Sequence, residues 1–269
     1  MYSSKSASIT SWSDYKIDPR YFLLAFLASF FTAGQFYLGF FQPWDALILS
    51  VTTTTTTELI LVRFIYKKWQ FPLSAIITGI GISLLLSSHV LWPYVLTSFL
   101  AIFLKFTVRF QGGHVFNPNN LALVIMLFFL PQYAVSTPKQ WTNGFGIMLL
   151  ILLLGLIVSY SANRLDTVVA FLVGFFVFSL VRHYIFGEPL LGAMGPLWGA
   201  SLQLFTFYMI TDPKTTPGSR KARIIFAILV ALVDSVLRTL SITNSQFYAS
   251  FLISLLFTMP YRFYSQKQK

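Results

Sequence analysis

Residues 144–163 read GFGIMLLILLLGLIVSYSAN. Twenty consecutive residues carry no charge, which matches the length of helix needed to cross a hydrocarbon core of about 30 Å. A backbone at that depth has no water to bond, so it satisfies itself as a helix. The same reading extends outward along the chain. It predicts spans at about Tyr21–Phe41, Trp44–Tyr66, Pro72–His89, Leu91–Phe110 and Phe116–Tyr133 on one side of this run. Gly144–Asn163 itself is the sixth, followed by Leu165–Phe186, Gly192–Ile210, Ala222–Leu240 and Gln246–Tyr261. The short alternating strands of a membrane barrel are not present in the pattern.

Composition agrees. Of 269 residues, 56% are hydrophobic and 10% charged, against about 25% charged in a soluble domain. One membrane domain over 21–262 is expected, with a polar segment 1–20 before it and a tail 263–269 after it. The first 20 residues lack the apolar core of a cleavable signal peptide. Cysteine is absent, which excludes disulfides and thiolate metal sites within the chain. His89, His114 and His183 are scattered, so no metal site is expected.

Ten spans put both termini on one side. Of the 19 Lys and Arg, only Lys139, Arg182 and Arg238 fall on the other side, so the split is 16 to 3. The basic side of a membrane protein faces the cytoplasm. The expected location is therefore a bacterial inner membrane, multi-pass, with both termini cytoplasmic. The net charge of +11 follows from this bias and requires no nucleic acid. Five spans per half permit two repeats of opposite orientation, about 21–133 and 144–262. The third and eighth segments then correspond, and both are rich in Gly, Pro and small polar residues. Such segments mark either a midplane site or close helix packing.

Polar groups inside the spans need a reason. Glu58 follows the run Thr52–Thr57 and is either functional or paired. Thr78 lies in the third segment. Asp234 and Arg238 stand four residues apart on one helix face and read as a structural ion pair. Two loops on the basic side carry the densest polar chemistry. One holds Gly112, Gly113, Asn117 and Asn119. The other runs from Thr211 and Asp212 through Thr215 to Lys221, with Gln203 in the helix before it. Glycine lets a backbone approach a ligand, and Lys and Arg beside turn amides can hold a phosphate. Tight connections would use the same residues.

Four motifs in order carry a resemblance to a known family: Thr57-Glu58-Leu59; Ser74-Ala75-Ile76-Ile77-Thr78-Gly79; Gly112-Gly113-His114-Val115-Phe116-Asn117-Pro118; and Thr211-Asp212-Pro213-Lys214-Thr215. From about Asp45 to Tyr261 the chain resembles the D-type membrane component of the Rnf electron-transport complex and the B-type membrane component of the sodium-pumping NADH–quinone reductase. The resemblance implies an all-α polytopic fold of ten transmembrane helices in two inverted five-helix repeats, similar to urea and ammonium transporters. It also implies a flavin (FMN or riboflavin), electron transfer coupled to Na⁺ or H⁺ movement, and electron-donor and acceptor subunits as partners. Family members with covalent FMN attach it at a Ser-Gly-Ala-Thr-like motif. This sequence has none, so a non-covalent flavin is expected. It would be held by Gly112, Gly113, Asn117, Asn119, Gln203, Thr211, Asp212, Thr215 and Lys221, with Glu58 and Thr78 on an ion route. The alternative is a small-solute or ion transporter on the same scaffold without redox activity.

Overall fold

The computed structural model describes residues 18–37, 43–110, 113–136 and 145–267. Helices dominate. Helix α1 is Pro19–Phe36, α2 Trp44–Tyr66, α3 Leu73–Leu85, α4 Trp92–Thr107, α5 Pro118–Phe129, α6 Phe145–Ser161 and α7 Leu165–Phe186. Two five-residue helices, α8 (Leu190–Met194) and α9 (Ala200–Leu204), flank a 3₁₀ turn at Gly195–Trp198, and a π-helical stretch follows at Phe205–Met209. Helix α10 is Arg220–Thr239, and α11 (Ser245–Ile253) continues through a π-helical stretch at Ser254–Thr258 into α12, Met259–Lys267.

The helix boundaries have local causes. Asp18 accepts from the Arg20 amide at the start of α1, and Ser219 from the Ala222 amide at the start of α10. Each cap satisfies a donor that the first helical turn leaves open. Helix α7 stops at Gly187, whose φ of 72° terminates it in the left-handed region. The eighth segment breaks where proline and glycine demand it. Pro196 opens the 3₁₀ turn without an N–H, and Gly199 is extended.

Helix α2 packs on α3 and α4, α7 on α10, α10 on α11, and α1 on α3 and α6. A Cβ on Gly79 would lie 2.6 Å from the Val51 Cα, so the bare glycine is what lets α3 press against the α2 backbone. The buried core is aromatic: Phe26, Phe30, Phe171, Phe175, Phe205, Phe207 and Phe247. The outer faces are apolar too. Leu150 and Ile157 on α6, Val173 on α7 and Val236 on α10 are all more than half exposed. Apolar surface on that scale needs lipid against it.

Several of the ten expected spans are helical over only part of their length. Among the described residues, only Trp44–Tyr66 and Leu165–Phe186 are long and apolar enough to cross alone. Helix α5 has 12 residues and α3 has 13, so each rises only about 18–20 Å. Extended backbone completes these segments. Leu86–Ser87 (β1) pairs antiparallel with Val135–Ser136 (β4), and Arg109–Phe110 (β2) with Gly113–His114 (β3). Pairing supplies the bonds that free backbone lacks away from water. Helices α5 and α11 meet near their N-termini. The Phe116 ring stacks on Phe251 at 5.0 Å, and the Asn120 amide donates to the Phe247 carbonyl at 3.2 Å.

Candidate functional site

Asn117 shows how the sequence builds the site. Its side-chain oxygen caps α5, accepting from the amides of Asn119 and Asn120 at 3.0 and 3.2 Å. Pro118 follows at the position where a missing N–H costs nothing. The same side chain donates from Nδ2 to Asp212 at 3.3 Å. Asp212 in turn accepts from the Lys214 amide at 3.0 Å, and its carbonyl accepts from the amides of Thr215 and Thr216. The two sequence motifs are thus one structure. Arg262 joins them again, donating to the His114 and Lys214 carbonyls.

A cavity of about 320 Å³ opens between these loops and the helices beneath. Asn117, Asn119, Thr211 and Asp212 line it, as does Thr78. So do Arg20, Ser74, Lys105, His114, Tyr208 and Lys214. The lining holds three Lys and Arg against two Asp, at 18 and 212. Arg20 pairs with Asp18 at 2.6 Å and Lys105 with Glu58, so the lining is close to neutral, with Ile77, Val158 and Leu23 as an apolar wall. Its size is at the lower end of the roughly 300–1,000 Å³ typical of ligand pockets.

Asn119 is the most telling residue. It is 2% exposed, and its amide donates to the Thr78 carbonyl and to the Tyr208 hydroxyl. Its Oδ1 is buried and unpaired among the described residues. A buried acceptor left open costs about 1–3 kcal/mol and suits a ligand N–H. Tyr208 lies on the π-helical stretch, a distortion common at functional sites. Gly81 leaves it room, since a Cβ there would come within 2.4 Å of the ring.

Behind the lining, Glu58 forms a buried triad with two residues of the wall. Lys105 Nζ lies 2.5 Å from Glu58 Oε2 and 2.7 Å from Ser74 Oγ, and Ser74 Oγ donates to Glu58 Oε1 at 2.9 Å. Glu58 is therefore paired. His114, outside the spans, is 7% exposed, and its Nδ1 has no partner among the described residues. Burial pushes its imidazole down to about 4, so the ring is neutral at pH 7; Asp212 opposes that shift, and Lys214, Arg109 and Lys105 reinforce it. The Arg20 guanidinium holds the Asp18 carboxyl below its usual range.

Among the described residues, Gly113, Gln203, Thr215 and Lys221 do not line the cavity. Gly112 falls outside the described residues, and Gly113 belongs to the β2–β3 pair. Thr215 is buried against the Asp212 carbonyl, while Gln203 donates to the Leu197 carbonyl at 3.0 Å. Lys221 is exposed and does not line the cavity. Arg223, two residues on, is committed to Asp166, with Nη2 at 2.6 Å from Oδ2. The cations at the cavity are instead Arg20, Lys105 and Lys214, and proximity to the Thr-Asp-Pro motif does not reveal the first two. For Lys105 a signal existed: it is an ionisable group inside the fourth segment, and Glu58 needed a partner.

The expected Asp234–Arg238 pair forms at 2.8 Å and anchors a wider buried network. Ser245 donates to Asp234 at 2.7 Å, and Arg238 reaches Gln246 at 3.0 Å. Arg182, 1% exposed, pairs with Glu188 at 2.9 Å. Arg182 and Arg238 both lie against the Phe175 ring, at 5.6 and 5.3 Å.

Compared with known proteins, residues 141–266 match the model of the NQR2, RnfD, RnfE family. The resemblance read from the motifs holds over that stretch, which includes the Thr-Asp-Pro motif and its cavity-lining Thr211, Asp212 and Lys214. The other three motifs lie before it. No curated protein matches the chain. The matched family and the outward apolar faces place this chain in a membrane.

Proposed function

We propose that this chain is the membrane subunit of a redox-linked, ion-translocating assembly, and that the cavity beside Asn117 and Asp212 holds a flavin, FMN or riboflavin, without a covalent bond. The observation that carries the reading is the buried, unpaired Asn119 Oδ1 in an amphipathic cavity whose second wall comes from the family-matched stretch. The residues fit the group. Asn119 would accept a ring N–H, Tyr208, Ile77 and Val158 would exclude water, and Lys214 would face a ribityl or phosphate tail. A bound flavin supplies reversible electron carriage, and the protein supplies position and electrostatics. Thr78 and the Glu58–Lys105 pair would border the ion route, where a change of charge in the cavity alters the pair's environment.

The reading includes ten segments in two inverted repeats, with both termini on the cytoplasmic side of a bacterial inner membrane and donor and acceptor subunits as partners. Reciprocal contacts between the halves support the repeat. Asn117, before α5 in the first half, bonds Asp212 in the second. Asn244, before α11 in the second half, accepts from the Ser136 hydroxyl in the first.

The test is a visible spectrum of the purified protein. Flavin absorbs near ~450 nm, a property of the cofactor, and the colour should leave the protein on denaturation. Asn117→Ala and Asp212→Ala should each weaken its retention in a folded, membrane-inserted protein. A colourless protein that binds neither added FMN nor riboflavin would overturn the flavin and favour a solute transporter. For topology, reporter fusions at Lys139 and Lys269 should report opposite sides.

A further inference from the structure

A second cavity, of about 790 Å³, lies between the end of α6 and the outer faces of α7 and α10. Its long wall is apolar. Val169, Val173 and Val177 recur every four residues along α7, and Ile224 and Ile228 face them from α10. These valines are 46–57% exposed, so the groove opens sideways, toward whatever surrounds the helices. Its rim is polar and sits at the starts of both helices, where Asp166, Arg220 and Arg223 line it.

We infer that this groove is a binding site for one anionic phospholipid, with its phosphate on Arg220 and an acyl chain along the valine stripe. Length, polarity and charge support this together. From Asp166 to Val177 the helix rises about 16 Å, close to half of a hydrocarbon core of about 30 Å. The polar rim then lies at headgroup depth and the valines within one leaflet. The rim's charge is unbalanced toward the cation. Asp166 is consumed by Arg223, with bonds of 3.1 and 2.6 Å from Nε and Nη2 to Oδ2, and Arg223 also donates to the Gly218 carbonyl at 2.9 Å. Arg220 lines the same rim and is exposed, with Lys221 exposed beside it. A guanidinium next to a neutralised pair is a phosphate seat, and basic residues at the membrane surface select anionic lipid. A zwitterionic headgroup would gain less there, because its own cation would meet the same rim.

The experiment is native mass spectrometry of the full chain in detergent, titrated with phosphatidylglycerol. Phosphatidylcholine and inorganic phosphate serve as the other probes. One phosphatidylglycerol should bind ahead of the rest, and phosphatidylcholine more weakly. Arg220→Gln should weaken the anionic lipid roughly fivefold, the worth of one basic residue near the surface. Val173→Trp, on the lipid-facing wall, should block it by filling the groove. Lys68→Gln, an equal loss of charge at another exposed position, should leave that first binding unchanged. Equal affinity for the two lipids, or equal losses in Arg220→Gln and Lys68→Gln, would show ordinary annular lipid and overturn the site. Displacement by inorganic phosphate would show an anion seat without a chain, which also overturns it.

Discussion

Replacing Glu58 with Gln isolates what the buried triad contributes. The carboxylate and Lys105 are 11% and 14% exposed at the side chain and 2.5 Å apart. They come from α2 and α4, and Ser74 of α3 bridges them. Glu58→Gln keeps the shape but leaves the ammonium buried beside a neutral amide. Breaking a buried pair by removing one partner costs about 3–5 kcal/mol, because the remaining charge has lost its compensation. For a chain of this size that corresponds to at least roughly 6 °C in melting temperature. Lys105→Met should cost a similar amount. The double variant Glu58→Leu/Lys105→Met should recover most of the loss, since two apolar side chains carry no desolvation penalty. The assay is thermal unfolding in one detergent at pH 7, followed by size-exclusion chromatography of heated samples. If both single variants melt with the wild type, the pair contributes nothing to stability. If the double variant is as unstable as the singles, packing and not unpaired charge caused the loss. Either outcome refutes the reasoning.

Three further expectations follow from the cavity. His114 has a folded pKa depressed from 6.5 to about 4, so the unfolded chain binds the proton more readily; stability should be full above pH 6.5 and fall by about 3 kcal/mol toward pH 4, and His114→Gln should flatten that slope in acid melts. Asn117→Ala removes the α5 cap and should cost about 1 kcal/mol, while Asn117→Ser, which can still cap, should melt near the wild type; a loss as large as alanine's would assign the effect to the Asp212 contact instead. Gly81→Ala forces a carbon to within 2.4 Å of the Tyr208 ring, so it should displace the tyrosine and raise the dissociation constant of an added flavin several-fold, measured by fluorescence quenching, and unchanged binding would remove Tyr208 from the site.

Hydropathy alone placed α2 at Trp44–Tyr66 and α7 at Leu165–Phe186, and the structure returns the same limits. The local clustering of Gly, Asn, Pro and basic residues marked the Asn117 and Asp212 loops. Both readings depend on neighbours within a few residues, and transfer free energy adds up locally along a helix. The Asp234–Arg238 pair was legible for the same reason, being one turn apart. The rest required distance. Lys105 meets Glu58 across 47 positions, and Arg262 clamps the His114 carbonyl across 148. No periodicity encodes which of several basic residues will turn toward a given loop, so Lys221 read as a ligand while Lys105 and Lys214 lined the cavity. The short α5 and α3 were hidden as well. An apolar run looks the same whether helix or extended backbone carries it, and only pairing with a distant strand, Leu86 with Ser136, decides where the helix can stop.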